Sequence, residues 1–254
     1  MRKILLIQLI FLYIFCAVTE AKESQKNILK LANGAKAYYL LPQNLESQKK
    51  YTLLIVLHGK GYSAHNSFIY WQDIAKKYNY IILAPQGTGV DNSYLDNINR
   101  NVNNTVHFVR MIKKKVYVKD IIVAGFSMGG GFAIDLALSH PKLFTKVLCI
   151  FGFFDERHQK KLHTVKSKYL SKQKYYFITG DKDITCSYLR NGYRKLSLKG
   201  ARVQLDVYPN LFHEFPPHFK KKYPKIDSYF KGIDHKYTNL KVCLYAQGIG
   251  ANDR

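Results

Sequence analysis

The chain has 254 residues with a formal net charge of +23 and four cysteines. That length holds one large α/β domain, and no shift in composition along it marks a second. No C-x-x-C or histidine pair suggests a structural zinc, and none of the motifs that follow calls for a cofactor, so none is expected.

In chain order, residues 1–21 read as an export leader: Arg2 and Lys3, an apolar run over 4–18, and Thr19, Glu20 and Ala21 as a small-residue cleavage site. The expectation is a secreted or periplasmic protein whose mature chain, 22–254, is a single domain, or a membrane-anchored one if the leader stays uncleaved. Cys16 is a weaker candidate for lipid attachment, because Phe15 before it is large. Without the leader three cysteines remain, Cys149, Cys186 and Cys243. Cys149 lies in an apolar run and reads as a buried thiol, which leaves Cys186 with Cys243 as the one pairing to consider.

After a polar stretch, 36–40 reads as an edge strand and 51–57 as a buried one, ending in His58, Gly59, Lys60 and Gly61. A helix is expected over 66–78 around Trp71 and Ile74, a strand over 80–84 closed by Pro85, Gln86 and Gly87, then a loop over 88–96 and an amphipathic helix over 102–115. Beyond the central segment come a strand over 146–151, a short helix within 155–172, a strand over 175–179, a helix over 186–199 and a strand over 202–207. Pro216 and Pro217 then introduce a basic, aromatic tail. Strands alternating with helices predict a mostly parallel sheet covered on both faces. The 155–172 stretch is too short for a lid domain.

The chain turns on residues 120–139. An apolar run, Ile121 to Ala124, leads into Gly125, Phe126, Ser127, Met128 and Gly129, and a small-residue helical pattern follows from Phe132. Only a sharp turn fits between strand and helix. A serine at its tip takes a strained backbone, tolerable when its neighbours lack bulk. This G-x-S-x-G elbow lifts the hydroxyl off the sheet and points the Met128 N–H at the place where an oxyanion would form. A glycine-rich phosphate turn is the competing reading, but Gly125 to Gly131 contains neither G-K-[ST] nor the G-x-G-x-x-G spacing.

A neutral serine hydroxyl needs a base and a carboxylate to orient that base. In an open parallel sheet these come from loops at the carboxyl ends of strands. Asp183 and His213 both meet that test, in the order Ser, Asp, His. Asp181 is the rival acid and His218 the rival base. His58 reads as a structural histidine bracing its loop, and His65, His107, His140, His158, His163 and His235 as surface or core residues. Tyr62, Trp71, Phe153 and Phe154 are either lining for an acyl pocket or core.

The elbow, the early His58 and Gly59, the strand end Ala84-Pro85-Gln86-Gly87, Gly180 with Asp183, and the late His213 together resemble the α/β-hydrolase superfamily over roughly residues 35–230. Within it the chain is similar to polyhydroxybutyrate-depolymerase-like and feruloyl-esterase-like proteins and to the phospholipase/carboxylesterase group. The resemblance implies an α/β-hydrolase fold without a large lid and hydrolysis of carboxylic esters through an acyl-enzyme. Ser127 would be the nucleophile, His213 the general base and acid, and Asp183 the orienting carboxylate. The backbone N–H groups of Met128 and Lys60 would form the oxyanion hole, and the Lys60 side chain would attract an anionic substrate. The expected partner is a small-molecule or polymeric ester, with an anionic surface a second candidate given the charge, and no nucleic acid. Acyl transfer, thioester or peptide cleavage by the same three residues, and a non-catalytic binding module on the same scaffold, stay open.

Overall fold

The computed structural model describes residues 27–233. The predicted leader, Cys243 and His235 lie outside the described residues. Within them an eight-stranded sheet runs in the order β1-β2-β4-β3-β5-β6-β7-β8. The strands are β1 Asn27–Lys30, β2 Lys36–Leu40, β3 Tyr51–Leu57, β4 Ile81–Pro85, β5 Val118–Phe126, β6 Lys146–Ile150, β7 Lys174–Gly180 and β8 Arg202–Tyr208. β1 and β2 are antiparallel to their neighbours. From β4 to β8 every pairing is parallel. This is the expected α/β-hydrolase architecture.

The helices are α1 Ala64–Tyr78, α2 Ile98–Lys115, α3 Met128–Ser139, α4 Glu156–Thr164, α5 Ser167–Leu170, α6 Thr185–Leu198 and α7 Phe219–Lys231. They fall on two faces because strand side chains alternate with period two. Leu53, Ile55 and Leu57 of β3 point into a core shared with α2 to α6. Leu54 and Val56 point into the opposite core, packed by α1 and α7. β3 and β4 are buried at every residue, as central parallel strands covered on both sides must be.

Two expectations need correction. The 36–40 strand is not an edge: β1 pairs outside it, Leu29 opposite Ala37. β1 is four residues long and buries only Leu29, so its local pattern is too weak to announce a strand. The basic, aromatic stretch after Pro217 is helix α7, with Phe219, Tyr223, Ile226 and Phe230 on its buried face. Those residues recur at helical spacing, and their burial outweighs the hydrogen bond that Pro224 cannot make.

Among the described residues no helix is long and apolar enough to cross a membrane. Cys149 is buried and unpaired, and burial pushes its thiol up to about 12. Among the described residues Cys186 has no disulfide partner either, and Cys243, the one considered for it, lies outside them.

Candidate active site

β5 ends at Phe126 and α3 begins at Met128, so Ser127 alone makes the turn, with φ 55° and ψ −120°. A left-handed φ on a residue with a Cβ is strained and persists only where the surroundings hold it. Here the Ser127 N–H donates to Ile150 O at 2.8 Å, and Ser127 O accepts from the N–H groups of Gly130 at 2.9 Å and Gly131 at 3.2 Å. The flanking glycines answer a steric demand. A Cβ on Gly125 would sit 2.1 Å from Gly129 O, and one on Gly129 would sit 2.5 Å from Leu57 O. The elbow therefore closes only with hydrogen at both positions.

Two loops at the carboxyl ends of β7 and β8 bring partners to Ser127. His213 Nε2 lies 2.8 Å from Ser127 Oγ, and His213 Nδ1 lies 2.9 Å from Asp183 Oδ2. A neutral imidazole protonated on Nδ1 satisfies both contacts: it accepts the serine hydroxyl and donates to the carboxylate. The imidazole is 38% exposed while the Asp183 side chain is 6% exposed, so water reaches the ring but hardly the carboxylate. Asp183 Oδ1 accepts the Thr185 N–H at 2.7 Å, which fixes the carboxylate. The rivals sit elsewhere. Asp181 accepts the Asn210 N–H at 2.8 Å and ties the β7 turn to the β8 loop. His218 precedes α7 in the left-handed region, and the serine hydroxyl's partner is His213.

The loop expected to supply an oxyanion donor follows β3. A Cβ on Gly59 would meet Ser127 Cβ at 3.5 Å and the Phe126 ring at 3.3 Å, so this backbone passes directly beside the serine. Met128 is the first residue of α3, and its N–H has no intrahelical acceptor. Buried His58 holds the loop: Nδ1 donates to Gly59 O at 2.9 Å, and Nε2 accepts from Gly87 N–H at 3.3 Å and faces Gln86 Nε2 at 3.2 Å. Burial lowers the His58 pKa, which keeps the ring neutral and Nε2 free to accept.

Several participants were not legible. Gln86 reaches both His58 and, through Oε1, the Ala64 N–H at 2.9 Å, joining the loops after β3 and β4. Tyr94, inside the stretch read only as loop, is buried, stacks on Phe132 with centroids 4.5 Å apart, and donates its hydroxyl to Pro85 O at 2.7 Å. The rings nearest His213 are Phe126 at 5.3 Å and Phe151 at 5.5 Å, with Phe215 stacked on Phe126 at 4.7 Å. For Phe126 the motif itself was the signal, since the residue before an elbow serine must lie beside it. Of the aromatic candidates, Trp71 and Phe154 are core, whereas Tyr62 is exposed. Phe153 is half-buried and packs edge-on to Tyr188.

Beneath the site lies a charged cluster. Asp135, fully buried on α3, approaches Arg157 Nη2 at 3.2 Å and His158 Nε2 at 3.4 Å. His158 is buried as well, with Nδ1 2.8 Å from Asp155 Oδ1. Burial pushes the His158 pKa down, but hydrogen bonds to Asp135 and Asp155 outweigh it and the net shift is upward. A lone aspartate in the apolar pattern of α3 was the available signal.

Among the described residues no three His, Cys, Asp or Glu side chains gather as a metal site would.

The dienelactone hydrolase family model matches residues 47–233. A search of curated proteins found no match. Among solved structures, a thermostable esterase superposes with TM-score 0.60 at 17% identity, over 81% of this chain and 60% of that one. A candidate dipeptidyl aminopeptidase IV from Bacteroides ovatus superposes with TM-score 0.62 at 19% identity, over 82% of this chain and 35% of that one. This chain thus spans less than two thirds of either. Est1E from Butyrivibrio proteoclasticus, whose structure is also known with ferulic acid bound, superposes with TM-score 0.60 at 16% identity, over 82% of this chain and 98% of that one. Those identities establish a shared fold, and the family match over 47–233 establishes more: the chain belongs to the dienelactone hydrolase family, within the α/β-hydrolases.

Proposed function

We propose that this protein is a serine hydrolase that cleaves carboxylic esters through an acyl-enzyme. The observation that carries the reading is the unbroken chain of contacts from Asp183 through His213 to Ser127, at 2.9 and 2.8 Å. Membership of a hydrolase family and the fold shared with esterases support it.

In this reading Ser127 Oγ attacks the ester carbonyl carbon while its proton passes to His213 Nε2. Asp183 keeps the imidazole in the tautomer that can accept and stabilises the imidazolium. The carbonyl oxygen takes up negative charge between the Met128 and Lys60 N–H groups. Collapse breaks the bond to the alcohol oxygen, which leaves with the proton from His213. Water, deprotonated by His213, then attacks the acyl-serine and frees the acid. The exposure of His213 favours water as the acceptor over a second alcohol or an amine. Half-buried Phe126 and Phe215 beside His213 favour an apolar group on the departing side.

The test is a fluorophosphonate probe together with a panel of esters graded by acyl length, with aryl esters included. Labelling at Ser127 and turnover lost on Ser127→Ala are expected, a loss on the order of a million-fold in rate. A probe that never labels Ser127 sinks the reading. We further propose that residues 1–21 direct export. Amino-terminal sequencing of protein from the culture medium or periplasm should begin at Lys22, and a chain retained in the cytoplasm with its first residues intact argues against export.

A further inference from the structure

A polar cleft of about 350 Å³ opens on the same edge of the sheet as Ser127 but apart from it. Its walls are the β1–β2 turn with Asn33 and Lys36, the loop after β4 with Gln86, Thr88 and Asn92, and Arg100 in the first turns of α2. β4 and β5 are separated only by β3, so the cleft lies roughly 10 Å along the edge from the serine.

The cleft is positive and pre-shaped. Lys36 and Arg100 are the charged residues that line it. Among the described residues neither enters a salt bridge. Arg100 Nη2 donates to Asn33 O at 3.0 Å, which anchors the guanidinium at the wall and leaves its other donors available. The Asp96 carboxylate lies behind Gly89 and is held turned to its own loop: Oδ2 accepts the Val90 N–H at 2.8 Å and Oδ1 the Ser93 hydroxyl at 3.0 Å. The polar walls are held from behind. Asn33 Nδ2 donates to Asn104 Oδ1 at 2.9 Å, and Thr88 Oγ1 to Asn101 Oδ1 at 3.0 Å.

The cleft also touches the oxyanion loop. Asn92 Nδ2 donates to Tyr62 O at 3.3 Å, and Tyr62 N–H in turn donates to Gly59 O at 3.2 Å. Gln86 joins the cleft to His58. A ligand seated here would lie against the segment that carries the Lys60 N–H.

The geometry points to an accessory site for one acidic sugar residue, its carboxylate between Lys36 and Arg100 and its hydroxyls on the amide and hydroxyl groups of the walls. Two cations that enter no salt bridge among the described residues attract an anion, and a guanidinium pairs with a carboxylate in a bidentate fork. Amides and hydroxyls, which both donate and accept, suit a polyol. The volume is at the low end of small-molecule sites, which run from about 300 Å³ upward, and so suits a single ring. Combined with the ester-hydrolase reading, on which this consequence rests, the ester would be one carried on an acidic carbohydrate.

The experiment titrates the full chain bearing Ser127→Ala with galacturonate, galactose and inorganic phosphate, followed by calorimetry. Galacturonate should bind about tenfold or more tightly than galactose, and the pair Lys36→Gln with Arg100→Gln should weaken it by about tenfold or more. Galacturonate binding no tighter than galactose, or untouched by the two substitutions, overturns the site. So does phosphate binding as tightly as the uronate, which would reduce the cleft to a simple anion patch. With Ser127 intact, the double variant should turn over a neutral aryl ester at the wild-type rate, and loss of that activity would overturn the separation of the two sites. Uronate binding without turnover of any ester would sustain the cleft and sink the esterase reading instead.

Discussion

Asp183 Oδ1 accepts the Thr185 N–H at 2.7 Å, and this bond aims the other carboxylate oxygen at His213. The Thr185 N–H donor at the start of α6 thus sets the orientation of a ring whose far nitrogen touches Ser127, two loops away in the fold.

Asp183→Asn should leave the fold intact and lower kcat for an aryl ester by about ten-thousand-fold, because the amide can favour the wrong imidazole tautomer. Asp181→Asn, two residues away, should lower it little, since among the described residues its carboxylate accepts only the Asn210 N–H. Steady-state kinetics on the two variants side by side decides the assignment; equal losses would overturn it.

Gly129→Ala and Gly131→Ala should part company. A Cβ on Gly129 would press on Leu57 O at 2.5 Å and His58 O at 2.7 Å, displacing the very loop that carries the Lys60 N–H. Overpacking of that kind costs about 1–3 kcal/mol, and activity should fall with stability. At Gly131 the nearest atom would be 3.6 Å away, ordinary contact, so the helix gains by about 0.5–1 kcal/mol. Thermal unfolding of both variants gives the comparison.

The buried His158 predicts a stability loss on the alkaline side. Its folded pKa is raised above 6.5 by Asp135 and Asp155, so the folded state holds a proton that the unfolded state releases first. The contribution is fully present below about 6.5 and is lost as pH rises through the raised folded value. His158→Asn should lower stability at pH 6 and remove this decline. Urea unfolding between pH 6 and 9 would show it, and a slope identical to wild type would refute it.

Phe219→Ala tests whether α7 belongs to the cooperative core. Phe219 is buried and meets the Trp71 ring edge-on at 5.3 Å. Truncating a buried Phe costs about 3–5 kcal/mol. Trp71 is the single tryptophan, so its fluorescence reports the transition directly. Unchanged stability would mean that α7 is merely attached.

Local sterics account for most of what could be read in advance. The Ser127 turn is legible because a strand, a serine between two glycines and a small-residue helix admit almost no other geometry. The central strands are legible because burial on both faces leaves continuous apolar runs. β1 escaped because one buried leucine in four residues makes no pattern, and its pairing with β2 is what makes it a strand. α7 escaped because the stretch after the Pro216-Pro217 pair reads as a basic, aromatic tail, while the core that holds it comes from α1 and the sheet.

The sequence by itself determined the elbow, the parallel sheet, and that Asp183 and His213 stand on loops at the proper ends of their strands. Only the tertiary structure decided which carboxylate and which imidazole meet the serine, that Gln86 joins His58 in bracing the loop after β3, and that Asn33, Lys36, Asn92 and Arg100 surround one cleft. The reason is physical: a turn is governed by neighbours in the chain, whereas the His213 to Ser127 contact joins residues 86 positions apart, and only the packing of two cores on one sheet brings them within 2.8 Å.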